Sequence, residues 1–344
     1  MQPMMNDPHD GLLAIDTHVD IPWPDGPSPF EDGPRCVDLP KLKRGRIAAV
    51  CFAAYIPQGH RDDAAHEAAA ARARAMLASI ASMAPANGSG GMMATSAAAV
   101  EAAFAAGKPG IIPAIENGYA IGRSLALLDE FAGLGIRYMT LTHNGHNEIA
   151  DAAIALPNMG DAEQEYGGLS DFGQSVVARM NELGVLIDVS HAAKSSMMQA
   201  AARSRTPVVA THSCMKALCD HKRNLDDEQL DMLAATGGLA QITIVSNFLR
   251  PKARAADLTV ETIVDHVDYA VKRMGIDHVG IGTDFDGGGG VRGFMNASQA
   301  PNLTAALARR GYGREELEKI WGGNFLRLLR KAEDVAAERK AAAD

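Results

Sequence analysis

Cysteine is scarce here: Cys36, Cys51, Cys214 and Cys219 are the only four in 344 residues, and no two are spaced CxxC. A chain this large can bury enough apolar surface to do without disulfide staples, so free thiols are expected. No stretch is long and apolar enough to cross a bilayer, and the opening MQPMMNDPHDGLL has neither the basic start nor the apolar run of a secretory signal. A cytoplasmic protein without a membrane anchor is the expectation. Positive charge is thin as well, because the net charge is -9 and basic clusters such as Lys41 to Arg46 are short and interrupted by apolar residues. Such a surface repels phosphate backbones, which argues against a nucleic-acid partner. No GxGxxG follows the first apolar run, and the GGGG at 287–290 is not completed by Lys-Ser/Thr, so the nucleotide-binding signatures are missing too.

What is present is a globular balance of 47% hydrophobic and 22% charged residues, enough to build a sizeable core. Eight short apolar, β-branched runs recur along the chain, at 12–20, 47–56, 110–118, 136–144, 184–191, 207–213, 238–248 and 278–287. Near-continuous apolar runs are what buried parallel strands look like when helices cover the sheet. Between them lie Ala/Leu-rich segments of helical period: 62–84, 96–106, 125–134, 170–183, 194–203, 226–236 and 259–274, with 314–329 as a final helix. Asp226 with Gln229 has capping-box spacing, and Thr259 also stands where a helix opens. Eight rounds of strand and helix predict an α/β fold, a (β/α)₈ TIM-type barrel with loop insertions and a C-terminal helix. One domain is expected over 1–344, with its core at about 11–332.

The chemistry-bearing residues sit at the C-terminal ends of those runs. The first ends in His18 and Asp20, the third in Glu116, the fourth in His143, the fifth in His191, the sixth in His212, and the eighth in Asp284 and Asp286. A barrel brings all those ends to one rim, where barrel enzymes keep their active sites. Residues i and i+2 of a strand point to the same side, so His18 and Asp20 can grip one ion together. His191 and His212 close successive strands and become lateral neighbours. Glu116 opens a buried strand onto the rim, and a carboxylate unpaired there would be costly. Five ligands are too many for one catalytic zinc that must keep an open position, so two Zn²⁺ bridged by Glu116 fit better. Mn²⁺, Fe²⁺ or Co²⁺ would suit the same donors.

Asp284 is expected to transfer a proton or add a ligand, while Asp286 reads as part of an acidic turn. His143, beside the expected ions, is assigned an electrophilic role. His60, His66, His146, His221, His266 and His278 lie in loops or helices and are read as structural.

Taken together, DTHVD, IEN, RYMTLTHN followed by IAD, GVLIDVSH, THS, HKRN and GTDFDG resemble the membrane (renal) dipeptidase family over nearly the whole chain. The resemblance implies that His18 and Asp20 bind one zinc, His191 and His212 the other, and that Glu116 bridges them. It also implies that His143, Arg223 and Asp284 are the substrate and catalytic positions, and that the protein is a homodimer. The expected reaction is hydrolysis of dipeptides, L-Xaa-D-Xaa included, by a water acidified between the two ions, with Arg223 taking the terminal carboxylate. The same donors would also serve an amidohydrolase of N-acyl amino acids or cyclic amides, or a non-peptidase metalloprotein of natural-product maturation.

Overall fold

The computed structural model describes residues 7–22 and 24–343, so both ends of the expected 1–344 domain lie partly outside the described residues. The strands, in chain order, are β1 (Ile15–Asp20), β2 (Ala49–Tyr55), β3 (Met92–Met93), β4 (Gly110–Glu116), β5 (Tyr138–Thr140), β6 (Leu186–Asp188), β7 (Val209–Ser213), β8 (Leu239–Ile242) and β9 (Val279–Ile281). Eight of them pair side by side in the order β1-β2-β4-β5-β6-β7-β8-β9, and β3 is a short addition on β4. All the pairings are parallel. The ring closes where Val19 bridges Phe285: Asp20 N donates to Phe285 O (3.0 Å) and Asp284 N to His18 O (2.9 Å). Below that seam the buried Asp16 carboxylate accepts from Thr283 N (2.9 Å) and Thr283 Oγ1 (2.6 Å). The fold is thus the expected (β/α)₈ barrel.

Burial explains the apolar runs. Every residue of β4 is buried, and β2 is buried up to Tyr55 at the rim, because helices cover the outside and side chains fill the inside. The helix Val260–Met274 shows how the cover is made: Ile263, Val264, Val267, Ala270 and Met274 form its buried stripe. Asp226 caps the helix Asp227–Ala235 in a full capping box with Gln229. Thr259 makes no side-chain cap bond, contrary to its sequence position.

The expected strands are too long at their C-terminal ends. The run 238–248 stops at Ile242 and Ser246–Leu249 is helical, while 136–144, 184–191 and 278–287 shrink to three residues each. The physical reason is visible at His191, Asp284 and Asp286, whose φ values of 65°, 61° and 63° no strand accommodates. These residues belong to turns that aim side chains over the rim. The single helix expected at 314–329 is divided: Arg314–Glu318, a wide turn at Lys319–Gly323, then Asn324–Ala343. At that turn Gly322 packs so closely on the segment leading into β1 that a Cβ would lie 2.3 Å from Leu13 O. Two helices went unforeseen, Leu39–Gly45 and Ala300–Arg310; both carry proline in their first turn, and Asp38 caps the former. The four cysteines are free thiols, and no described helix is long and apolar enough to cross a membrane.

His266 ties the covering helix to the rim loops. Its Nδ1 accepts from Met215 N and its Nε2 donates to Leu249 O, both at 3.1 Å, which requires a neutral ring. Burial holds its pKa below the usual 6.5. As pH falls through about 6.5 the unfolded chain binds a proton that the folded chain refuses, so stability is lost on the acid side, by at most about 1.4 kcal/mol per pH unit. Denaturant titrations between pH 7.5 and 5 should therefore show a shallower acid loss for His266→Gln than for the wild type. Equal slopes would remove His266 from the acid response.

Candidate metal centre

The rim gathers the residues that the strand ends promised. His18 and Asp20 end β1, Glu116 ends β4 and His212 lies in β7, while His143, His191 and Asp284 stand in the turns just beyond β5, β6 and β9. Glu116 is at the middle. Its Oε1 lies 3.1 Å from His191 Nε2, 3.4 Å from His212 Nε2 and 3.8 Å from His143 Nε2. Its Oε2 is 3.7 Å from His18 Nε2, which is itself 3.7 Å from Asp20 Oδ1. Two groups are close enough to hold an ion each, His18 with Glu116 and His212, and Glu116 with His143 and His191. Both share Glu116. They cut across the grouping that the family resemblance implies, and they offer His143 as a nitrogen donor.

Three of the imidazoles are fixed from behind. His18 Nδ1 lies 2.8 Å from the Tyr138 hydroxyl, His212 Nδ1 2.9 Å from Thr211 Oγ1, and His191 Nδ1 3.2 Å from Asn144 Oδ1. The Asn144 oxygen can only accept, so His191 donates through Nδ1 and keeps a lone pair on Nε2. Thr211 gives its proton to Asp188 Oδ2 (2.7 Å) and therefore accepts from His212. Asp188 is buried, and also accepts from Thr140 Oγ1 (2.6 Å), Ser190 N (2.9 Å) and Thr211 N (3.0 Å). On the open side, His18 Nε2, His212 Nε2 and Asp20 Oδ1 are buried without a hydrogen-bond partner among the described residues. Buried polar atoms rarely go unpaired, and lone pairs converging on one carboxylate are a donor set that fits divalent cations.

The electrostatics carry the same demand. Burial pushes Asp284 up to about 7 even though His18 and Arg223 pull it down, and burial together with Glu116 raises Asp20 well above the usual range. Burial works against the Glu116 carboxylate too, but the charge of His18 and the close approach of the His18, His191 and His212 rings outweigh it and hold its pKa low. His18 is driven up to about 10 by Glu116, Asp20 and Asp284 against its own burial cost, so the surrounding carboxylates favour positive charge at this position. Burial holds His143, His191 and His212 below the usual imidazole value, in the neutral form that ligates.

The turns around the centre are built for close approach. A Cβ on Gly287 would lie 2.2 Å from Asp284 Oδ1 and 2.5 Å from Asp20 Oδ2, so only glycine fits beneath both carboxylates. Asp286 points elsewhere: it accepts from Cys36 N (2.7 Å) and Val37 N (3.2 Å), pinning one loop to another as its turn reading anticipates. Arg223 is buried; its Nη2 donates to His212 O (3.2 Å) and its guanidinium lies 5.5 Å from the centre of the Phe248 ring. Tyr55 packs its ring 4.7 Å from that of His143. His60, His66, His146, His221, His266 and His278 take no part in the metal-capable groups. Sequence reasoning missed Asp188, Thr211, Tyr138 and Asn144. Asp188 left a signal, as a charged letter inside the apolar run of β6.

Comparison with known proteins agrees with this picture. Dipeptidase tcpJ of Claviceps purpurea is 34% identical over 337 residues, covering 96% of this chain and 77% of its own. The structure of the probable dipeptidase PvdM from Pseudomonas aeruginosa superposes with a TM-score of 0.91 at 29% identity, over 96% of this chain and 98% of the other. A metallopeptidase from Rhodobacter sphaeroides, bound to a phosphinate mimic of the dipeptide L-Ala-D-Ala, gives 0.83 at 28% identity over 93% and 99%. The sequence model of the membrane dipeptidases matches residues 7–343. With that match over almost its whole length, this chain belongs to the membrane dipeptidase family, peptidase family M19, and is a metal-dependent hydrolase.

Proposed function

We propose that the chain hydrolyses the peptide bond of dipeptides, L-Xaa-D-Xaa among them, at a centre holding two divalent cations, with zinc the first choice. One observation carries the reading: four imidazole Nε2 atoms and a neighbouring carboxylate surround Glu116, and three of those imidazoles are committed through Nδ1 to other partners. His18, Asp20, Glu116, His191 and His212 would hold the metals, with Glu116 shared between them. When bound, the metals would supply Lewis acidity and bring the pKa of water down toward about 7.

The chain's own residues do the rest. His143, its ring centre 4.0 Å from that of His191 and neutral through burial, offers a donor to the carbonyl oxygen as negative charge grows there. Asp284, in the turn after β9 with its carboxylate next to that of Asp20 over Gly287, is placed to carry a proton to the leaving amine. Arg223 presents a planar fork to the substrate's free carboxylate, which favours dipeptides over longer chains. The phosphinate dipeptide mimic carried by the Rhodobacter sphaeroides relative supports this substrate class.

The deciding assay offers the zinc-loaded protein L,L and L,D dipeptides, their C-terminal amides, N-acyl amino acids and cyclic amides. Cleavage of free dipeptides is expected. Turnover of N-acyl or cyclic amides alone would overturn the substrate assignment, and no turnover at all would overturn the hydrolase. In Arg223→Ala, KM for free dipeptides should rise about tenfold or more, the scale of a lost charge-assisted hydrogen bond, and amidated dipeptides should be affected much less. Equal effects would take Arg223 out of carboxylate recognition.

A further inference from the structure

A second polar cavity adjoins the centre. It holds about 290 Å³ and lies among the loops after β5, β6 and β7. Ala192 and Ser213, the residues immediately after His191 and His212, line it, as does Arg223. Arg223 also feels the charges of Asp284 and Glu116, so it marks the end of the cavity nearest the metals.

Two features of this wall point to a ligand. Ser213 Oγ, Arg223 Nε and Asn224 Oδ1 are buried without hydrogen-bond partners among the described residues, and all three residues face the cavity wall. Buried polar groups left unpaired cost free energy unless something completes them. The charge is the other feature. Lys194, Lys216, Lys222 and Arg223 stand against Glu163 and Asp226. Asp226 is already engaged by Lys194 (2.7 Å) and by Gln229 N (3.1 Å) and also feels Lys216, so this one carboxylate is shared among several partners. Lys216 has only a 3.7 Å contact with Asp220, whose side chain is 88% exposed, and Lys222 makes no ion pair among the described residues. Cationic side chains with little to neutralise them thus surround two unsatisfied donors, Ser213 Oγ and Arg223 Nε, and one unsatisfied acceptor, Asn224 Oδ1.

We propose that this cavity receives the side chain of the substrate's second residue and selects one that ends in a carboxylate. The proposal rests on the dipeptidase reading above. The α-carboxylate of a dipeptide lies two bonds from the scissile nitrogen, so it is held at Arg223, next to the metals. Only a side chain extends past Arg223, and there it meets Lys216 and Lys222. A charge-lined pocket discriminates chiefly by stranding an uncharged competitor against groups it cannot satisfy.

The test is a ratio measured on the zinc-loaded protein: kcat/KM for Ala-Glu divided by kcat/KM for Ala-Gln, with the second residue in the L and the D form. The two differ in charge and hardly in shape. In the wild type the ratio should be about tenfold in favour of glutamate and should shrink as salt is raised. In the double variant Lys216→Glu, Lys222→Glu it should fall to one or below. These positions are at the surface, so the variant should fold. A wild-type ratio near one, or a ratio that the double variant leaves unchanged, overturns the acidic subsite while leaving the dipeptidase standing. Failure to cleave any dipeptide overturns the dipeptidase reading and the subsite with it.

Discussion

Replacing Glu116 by Gln should reduce the metal content of the purified protein from the two ions per chain of the proposed centre to one or none, and should lower kcat/KM for dipeptides by at least about 10³-fold, or about 4 kcal/mol of transition-state stabilisation. The substitution keeps the shape of the side chain and removes its charge and one acceptor oxygen. Of all the rim residues, Glu116 alone is shared by both metal-capable groups, so its loss weakens each of them. The fold should survive. In the metal-free protein the Glu116 charge pushes Asp20 and Asp284 up, but Glu116 is itself held low by His18, so removing its charge gives up a favourable pairing along with the crowding. The metal-free variant is therefore expected to unfold at a somewhat lower denaturant concentration than the metal-free wild type, still in one cooperative step. Elemental analysis after dialysis, steady-state kinetics and denaturant titration read the three quantities separately. A fully active variant carrying two ions would refute the shared carboxylate.

The second large effect concerns a residue that never reaches the metals. In Thr211→Val the side chain keeps its volume, but His212 Nδ1 loses its acceptor and Asp188 loses one of its four donors. Two buried groups are then left short, which should cost about 1–3 kcal/mol of stability. Partners that hold a ligating histidine from behind are worth about 10- to 100-fold in metal affinity. Zinc affinity measured by chelator competition should fall within that span, and the visible spectrum of the cobalt-substituted protein should shift as the ring of His212 loses its orientation. Thr211→Ser keeps the hydroxyl and should restore both readouts. A Val variant with wild-type affinity and spectrum would reduce Thr211 to a packing residue.

The barrel and its rim were legible because buried parallel strands leave apolar runs and because titratable residues closed one run after another. His18, Asp20, Glu116, His143, His191 and His212 all close such runs, and a barrel brings those ends to one rim. Two kinds of feature were not legible. Strand ends were overextended at His191 and Asp284 because an apolar run does not record where φ turns positive. The residues behind the histidines escaped because their partners are distant in sequence: Thr211 is 23 positions from Asp188, and Tyr138 is 120 from His18. Arg223 was reached through the family resemblance alone, since an arginine in a loop carries no periodic signal. The cavity beside it depends on three loops meeting, which no single stretch of the chain encodes.

The ring seam between Val19 and Phe285 has a consequence for how the chemistry comes into being. The donors are spread over six of the eight barrel strands from His18 to Asp284, so a ribosome that has released only the first two hundred residues has made most of the ligands and nothing that can use them. Neither half of the molecule owns the reaction. Turnover begins when the last strand meets the first, and in this protein activity is a direct report that the circle has been completed.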